Sequence, residues 1–269
     1  MGRLCSPVRR IRIVRTTMLI PWLLPAIALI VWQAGAEAGW ITARTLPPPL
    51  SILTAAISLS KTGELERQVL ISCQRAALGF LVGGGLGFVL GLLNGLVRPA
   101  ELLLDTSLQM LRNVPHLAII PMVILWFGIG ESAKLFLVAL GVFFPIYLNT
   151  FHGIRMIDQS LIEMGRIYRL GTWAMFWRVI LPGAMPSILI GVRYGLGITW
   201  LTLIVAETIS SSSGIGYMTM NAREFLETDV VLLGILIYAI LGKLADSATR
   251  LLEHRLLAWH HNFQVGVES

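Results

Sequence analysis

The chain has 269 residues, of which 55% are hydrophobic and only 13% charged. Its mean hydropathy is +0.75, whereas soluble domains carry about a quarter charged residues, so a water-soluble globule is excluded. The formal net charge of +6 comes from basic residues scattered along the chain and not from a patch, which argues against a nucleic-acid surface.

A helix needs about 20 apolar residues to cross about 30 Å of hydrocarbon. Thr16 to Ala36 carries no Asp, Glu, Lys or Arg and predicts a first spanning helix. The basic stretch before it and the small residues Ala34-Gly35-Ala36 also mimic a secretory signal peptide. An uncleaved helix is the preferred reading, and either reading starts the rest of the chain outside. Leu46-Pro47-Pro48-Pro49 then forces extended backbone, and Leu50 to Leu59 reads as a short helix on the outer membrane surface. Ala76 to Val97 is the second charge-free run. Within it Gly79, Gly83, Gly87, Gly91 and Gly95 recur every fourth residue, lining one helix face where another backbone can approach closely. That face predicts helix packing rather than solute contact.

Asn113 to Gly130 and Leu135 to Ile154 are the third and fourth charge-free runs. Ser187 to Glu207, containing Arg193, and Val230 to Ala248, containing Lys243 and Asp246, complete six expected transmembrane helices in an all-α membrane protein. With both termini cytoplasmic, the inner segments hold twelve arginines and the outer loops five basic residues, as the positive-inside rule requires. The expected organisation is a cytoplasmic segment over 1–17, a transmembrane domain over 18–252 with an inner loop at 155–186, and a cytoplasmic tail over 253–269.

The inner loop has the composition of a structured segment. Ser160 and Glu163 fit a capping box, a turn is expected near Gly171, and a second piece holds Trp173, Phe176 and Trp177. Leu181-Pro182 closes the segment, and Pro186 precedes the fifth span. Such an amphipathic hairpin needs a partner, lipid headgroup or protein, to cover it. No Gly-x-x-x-x-Gly-Lys-Ser/Thr occurs, and the only Gly-Lys pair, Gly242-Lys243, lies inside a span, so the chain has no phosphate cradle of that kind.

An ionised side chain within a span costs about 2.5–3.5 kcal/mol on insertion scales, so each one calls for a reason. Arg112, beside Asn113, reads either as a bidentate anion ligand or as a packing or snorkelling arginine. Arg193 reads as reaching the inner interface. Glu207 would repel an anion in a pore, which points to an ion pair or a gate. His116 and His152 read as packing histidines, although His116 could titrate in a pathway. Trp126 and Trp200 read as core or interface anchors. Lys243 and Asp246 fit a local pair. His254, His260 and His261 have no metal spacing, and Cys5 and Cys73 form no framework. Spans without central carboxylates disfavour an ion-coupled secondary transporter, and nothing orients Ser107 and His116 as an intramembrane hydrolase.

The inner loop resembles the coupling loop of permeases of ATP-binding-cassette importers, with Glu163-Met164-Gly165, then Arg169, then Val179-Ile180-Leu181-Pro182 at the family's spacing. Gly165 stands for an alanine of that motif and Arg169 for its glycine, so the turn is expected to shift to Gly171. The resemblance extends over all but roughly the first and last fifteen residues. Leu111-Arg112-Asn113-Val114-Pro115-His116, Thr202 to Ile209, Ser213-Gly214-Ile215-Gly216-Tyr217 and Met220-Asn221-Ala222-Arg223 are similar to the nitrate, sulfonate and taurine group, most of all its aliphatic-sulfonate permeases. This implies a type I importer (MetI-like) fold in a bacterial inner membrane. It also implies a homodimer, two cytoplasmic ATPases that bind ATP and Mg, a periplasmic or lipid-anchored solute-binding protein, and no cofactor or catalytic residue in this chain. Taurine, nitrate and a thiamine-precursor pyrimidine are the alternative solutes. The implied coupling residues are Glu163, Met164, Gly165, Arg169, Gly171, Val179, Leu181 and Pro182. Arg112, Asn113, His116, Glu207 and Asn221 are the candidates for the pathway or its gate.

Overall fold

The computed structural model describes residues 8–42 and 44–257, and within them not the side chains of 8–22, 116 and 210. Cys5, His260, His261 and the side chain of His116 therefore lie outside the described residues. Every regular element among the described residues is helical, and the chain divides into two compact units.

The first unit runs to residue 65 and takes in 221–233. Helix α1, Val8–Glu37, covers the first apolar run. Gly39, at φ +76°, turns the chain, and the prolines deliver it extended to α2, Pro49–Lys61, which starts on a proline whose missing N–H costs nothing there. Gln33 Oε1 accepts the Leu50 N–H at 3.2 Å, tying the end of α1 to the start of α2. Leu50, Leu53 and Ile57 form an exposed apolar stripe on α2.

The second unit covers 66–220 and 234–269. Its helices are α3 (Glu64–Leu96), α4 (Arg98–Arg112), α5 (Ile120–Phe127), α6 (Glu131–Arg155), α7 (Gln159–Ile167), α8 (Thr172–Met175) and α9 (Leu181–Ser210), followed by α10 (Ile215–Glu224) and α11 (Thr228–Leu256), which begin or end in the first unit. A core of Ala76, Val138, Val142, Ile146 and Leu203 joins α3, α6 and α9. The glycines of α3 lie against α6. A Cβ at Gly79 would stand 2.5 Å from Val138 Cγ1, one at Gly87 2.5 Å from the Phe143 carbonyl oxygen, and one at Gly91 2.7 Å from the Tyr147 carbonyl oxygen. Gly83 meets the Ala139 backbone and Gly95 the Ile154 side chain. The opposite face of α3 exposes Leu78, Leu81 and Val89, as a lipid-facing surface does.

Among the described residues four helices, Glu64–Leu96, Glu131–Arg155, Thr172–Ile209 and Thr228–Leu256, are long and apolar enough to cross a membrane. The expected third span is not one straight helix. Arg98–Arg112 and Leu117–Phe127 together pass the same test but meet at a 78° bend, because Pro115 cannot continue α4 and restricts the residue before it. The expected boundary at Leu181-Pro182 is also absent. The chain is helical from Thr172 onward, with a π turn over Phe176–Ile180 leading into α9. That places Pro182 in the first turn of α9, where a proline is tolerated.

Candidate functional site

The loop 155–186 folds as a hairpin directly attached to α6. Its first limb, α7, is capped by Asp158, whose carboxylate accepts the Ser160 N–H at 2.9 Å. That bond, made chiefly to the backbone amide, holds the Asp158 carboxyl below its ordinary pKa. The expected capping box is therefore displaced by two residues, since an aspartate caps as well as a serine and Glu163 is left exposed. The limb ends in a Schellman turn, with Leu170 N donating to the Gly165 carbonyl at 3.0 Å and Arg169 N to the Arg166 carbonyl at 2.9 Å. Its left-handed residue is Arg169, at φ +53°.

The turn thus stays where the family motif has glycine and does not shift to Gly171, which instead precedes α8 in extended conformation. Gly165 is buried under Met175, and a Cβ there would lie 2.7 Å from Met175 Cε. The methionine occupies the space an alanine methyl would need. Met164, Ile167, Tyr168, Trp173 and Trp177 remain exposed, while Val179, Leu181 and Pro182 belong to the continuous helix above them.

At the end of the spans opposite the hairpin lies a buried polar cluster. Arg75 on α3 and Glu207 on α9 are 3% and 1% exposed. Arg75 Nη1 donates to Glu207 Oε1 at 2.8 Å and to the Ser213 carbonyl at 2.6 Å. Its Nε and Nη2 fork onto Glu131 of α6 at 2.6 and 2.5 Å. Glu207 also accepts from Ser72, Gly216 N and Tyr238 Oη at 2.8, 2.9 and 2.9 Å. Lys134 Nζ reaches Glu131 at 3.0 Å, so two cations meet two carboxylates. The turn between α9 and α10 is drawn into the cluster. Gln68 Oε1 accepts the Gly214 N–H at 2.5 Å and Ser72 Oγ the Ile215 N–H at 2.9 Å. Gly214, at φ +103°, leaves no room for a Cβ beside Glu207 and Arg75.

Glu207 is therefore ion-paired and unavailable to a solute. Sequence reading missed Arg75 because it stands one residue before a charge-free run. The available signal was a second buried-depth charge of opposite sign on a neighbouring span.

Toward the hairpin, polar contacts recur. Asn94 Nδ2 donates to Tyr147 Oη at 2.8 Å, and that hydroxyl donates to Asp105 Oδ1 at 3.3 Å. Glu101 pairs with Arg155. Arg193 Nε donates to Asp246 Oδ1 at 2.8 Å, and Arg250 Nε to Asp246 Oδ2 at 3.0 Å. Lys243 lies farther off, at 3.7 Å, so the expected Lys243–Asp246 pair is subordinate to an interhelical one. Arg112 and Asn113 are exposed at the bend, where Asn113 Nδ2 donates to the Gln109 carbonyl at 3.1 Å. Among the described residues no hydrogen bond or ion pair joins them to Glu207. Asn221 is exposed on α10.

Long apolar helices, a bent pair and a structured hairpin with exposed apolar residues are the architecture of a multi-pass membrane permease. The chain belongs to the family of binding-protein-dependent transport system inner membrane components, which it matches over residues 83–258. It is a transport subunit and not an enzyme, and the family works with an ATPase and a solute-binding protein. It is 60% identical over 240 residues to an Escherichia coli protein named as an aliphatic sulfonates transport permease, covering 89% of this chain and 91% of the relative. A Bacillus subtilis protein of the same name is 50% identical, over 90% of this chain and 88% of the relative. A taurine transport system permease of Escherichia coli is 35% identical, over 89% of each.

Proposed function

We propose that two copies of this chain form the path by which aliphatic sulfonates cross a bacterial inner membrane, with both termini cytoplasmic, driven by two ATPases that bind ATP and Mg. The observation that carries this reading is the hairpin Gln159–Met175, exposed and apolar at Met164 and Ile167, in a chain 60% identical to a permease named for sulfonates. Relatives named for taurine and bicarbonate stand at 35% and 30%, which ranks those two solutes below sulfonate. A solute-binding protein delivers the anion on the outer side. The hairpin seats in the ATPase, so that closure around nucleotide moves the spans between two packings. Arg112, Asn113 and His116 at the bend are the pathway residues of this reading. Among the described residues Arg112 has no carboxylate partner, whereas Arg75 and Arg193 are neutralised by carboxylates.

Co-expression with an ATPase subunit tests the docking. Glu163→Ala or deletion of residues 160–170 is expected to abolish capture of the ATPase from detergent while membrane insertion persists, and undiminished capture overturns the docking. Growth of a permease-null strain on an alkanesulfonate, but not on nitrate, as sole source is the expected substrate result. Growth on nitrate alone would reassign the solute.

A further inference from the structure

Helix α4 is the one long helix of the second unit that buries no residue of its own. Among the described residues, one hydrogen bond and one ion pair join it to α6. Asp105 accepts from the buried Tyr147 hydroxyl at 3.3 Å, and one turn nearer the start of α4 Glu101 pairs with Arg155. Arg155 is the last residue of α6, and Asp158, three positions on, caps the hairpin. Its guanidinium is steadied from the side by the Phe151 ring, 5.8 Å away. Around the pair lies a cavity of about 580 Å³ lined by Arg98, Glu101, Leu102, Asp105, Thr106 and Arg155, so apolar packing does not hold the two helices together here.

The root of the hairpin is seated differently. Ile154, Ala184 and Ile188 form a buried cluster, with Leu92, Ile157 and Leu181 packed on it, and Ile157 sits against Gly183 at 3.3 Å from where a Cβ would stand. A push on the hairpin is therefore taken up by α3, α6 and α9 together through close packing, whereas α4, whose Leu108 and Leu111 only line an open apolar groove with α3 and α6, is tied to the hairpin end of α6 by its two polar contacts.

We propose that the Glu101–Arg155 pair is a strut that passes displacement of the hairpin to α4, and through α4 to the bend at Arg112–His116. Both residues are positioning residues. They need touch neither solute nor nucleotide. The inference rests on the docking reading above. An exposed pair adds little to stability, so the strut's contribution shows in coupling and not in folding. Arg98 lines the same cavity and is the cation that faces Glu101 from its own helix.

The test uses the full complex with its ATPase and binding protein in liposomes. It measures ATP hydrolysis and solute uptake together, with ATPase capture and thermal unfolding as separate readouts. Glu101→Arg and Arg155→Glu are each expected to keep ATPase capture and unfolding temperature while lowering solute moved per ATP at least tenfold. The combined exchange Glu101→Arg/Arg155→Glu is expected to restore it to within threefold. Should either reversal fail to insert, Glu101→Gln and Arg155→Gln are measured instead, with a smaller loss of the same kind. Normal coupling in the single variants, or a double variant no better than the singles, overturns the strut. Failure of the unmodified complex to capture ATPase overturns the docking reading instead.

Discussion

Arg169 is the clearest case of a side chain in conflict with its backbone. At φ +53° a Cβ crowds the following carbonyl, which costs about 1–2 kcal/mol in the left-handed region, while glycine is the residue helix ends prefer there. Arg169→Gly is therefore expected to raise the thermal unfolding temperature of the purified protein slightly and to keep ATPase capture. Arg169→Val, β-branched and less tolerant of positive φ, should lower both. A lower unfolding temperature for the glycine variant would show that the arginine side chain makes a contact that outweighs its strain. Asp158 acts at the other end of the same helix. Its lowered pKa means that its cap operates at neutral pH and is lost as pH falls through the lowered value. Arg75 is the opposite extreme, a charge with every donor satisfied. Its loss would leave Glu207 buried and uncompensated, so Arg75→Ala is expected to destabilise by about 3–5 kcal/mol, read as loss of the folded monodisperse protein in detergent.

The glycine face of α3 was legible in the sequence because a four-residue period is a geometric statement about one side of a helix, and the coordinates place that side against α6. The apolar runs marked α3, α6, α9 and α11 for the same kind of reason. What could not be read was which charge meets which. Arg75 and Glu207 are 132 residues apart, and only the assembled helices bring them together. The bend after Arg112 was disguised because Asn113 to Gly130 carries no charge, although Pro115 inside it was the breaker signal. The cap at Asp158 was overlooked in favour of a longer motif two residues on. Two glycines of α3 separate packing from mere composition. A Cβ at Gly83 would run into the Ala139 backbone, whereas nothing lies within 4 Å of one at Gly85. Gly83→Ala is expected to cost at least 2 kcal/mol, as overpacking against backbone does, and Gly85→Ala to be neutral or to gain up to about 1 kcal/mol in helix propensity. Thermal unfolding of the two variants side by side decides it, and equal behaviour would remove the close α3–α6 contact.

Within the second unit the bonds divide the helices into a stiff set and a compliant one. At the end away from the hairpin, Arg75, Glu131 and Glu207 bind α3, α6 and α9 to one another, and at the hairpin end Ile154, Ala184 and Ile188 do so by packing. Breaking either end exposes a buried charge or a buried cluster, so these three helices are expected to stay together in the conformational change proposed above. Helix α4 has neither anchor: it buries no residue and ends at the bend, beyond which Ile120 and Val123 of α5 pack into a buried cluster with Ala133, Leu137 and Ala206. Local opening draws on regions with few buried contacts, so in the transport cycle proposed above α4 is the element expected to open. Hydrogen exchange of the protein in lipid nanodiscs is then expected to show the amides of 98–112 exchanging at least tenfold faster than those of 79–95 and 138–154. ATPase-bound nucleotide should change the first set and leave the other two unaltered. Equal protection along all three stretches would mean that α4 is held by contacts as strong as those of the stiff set, and another element would have to open.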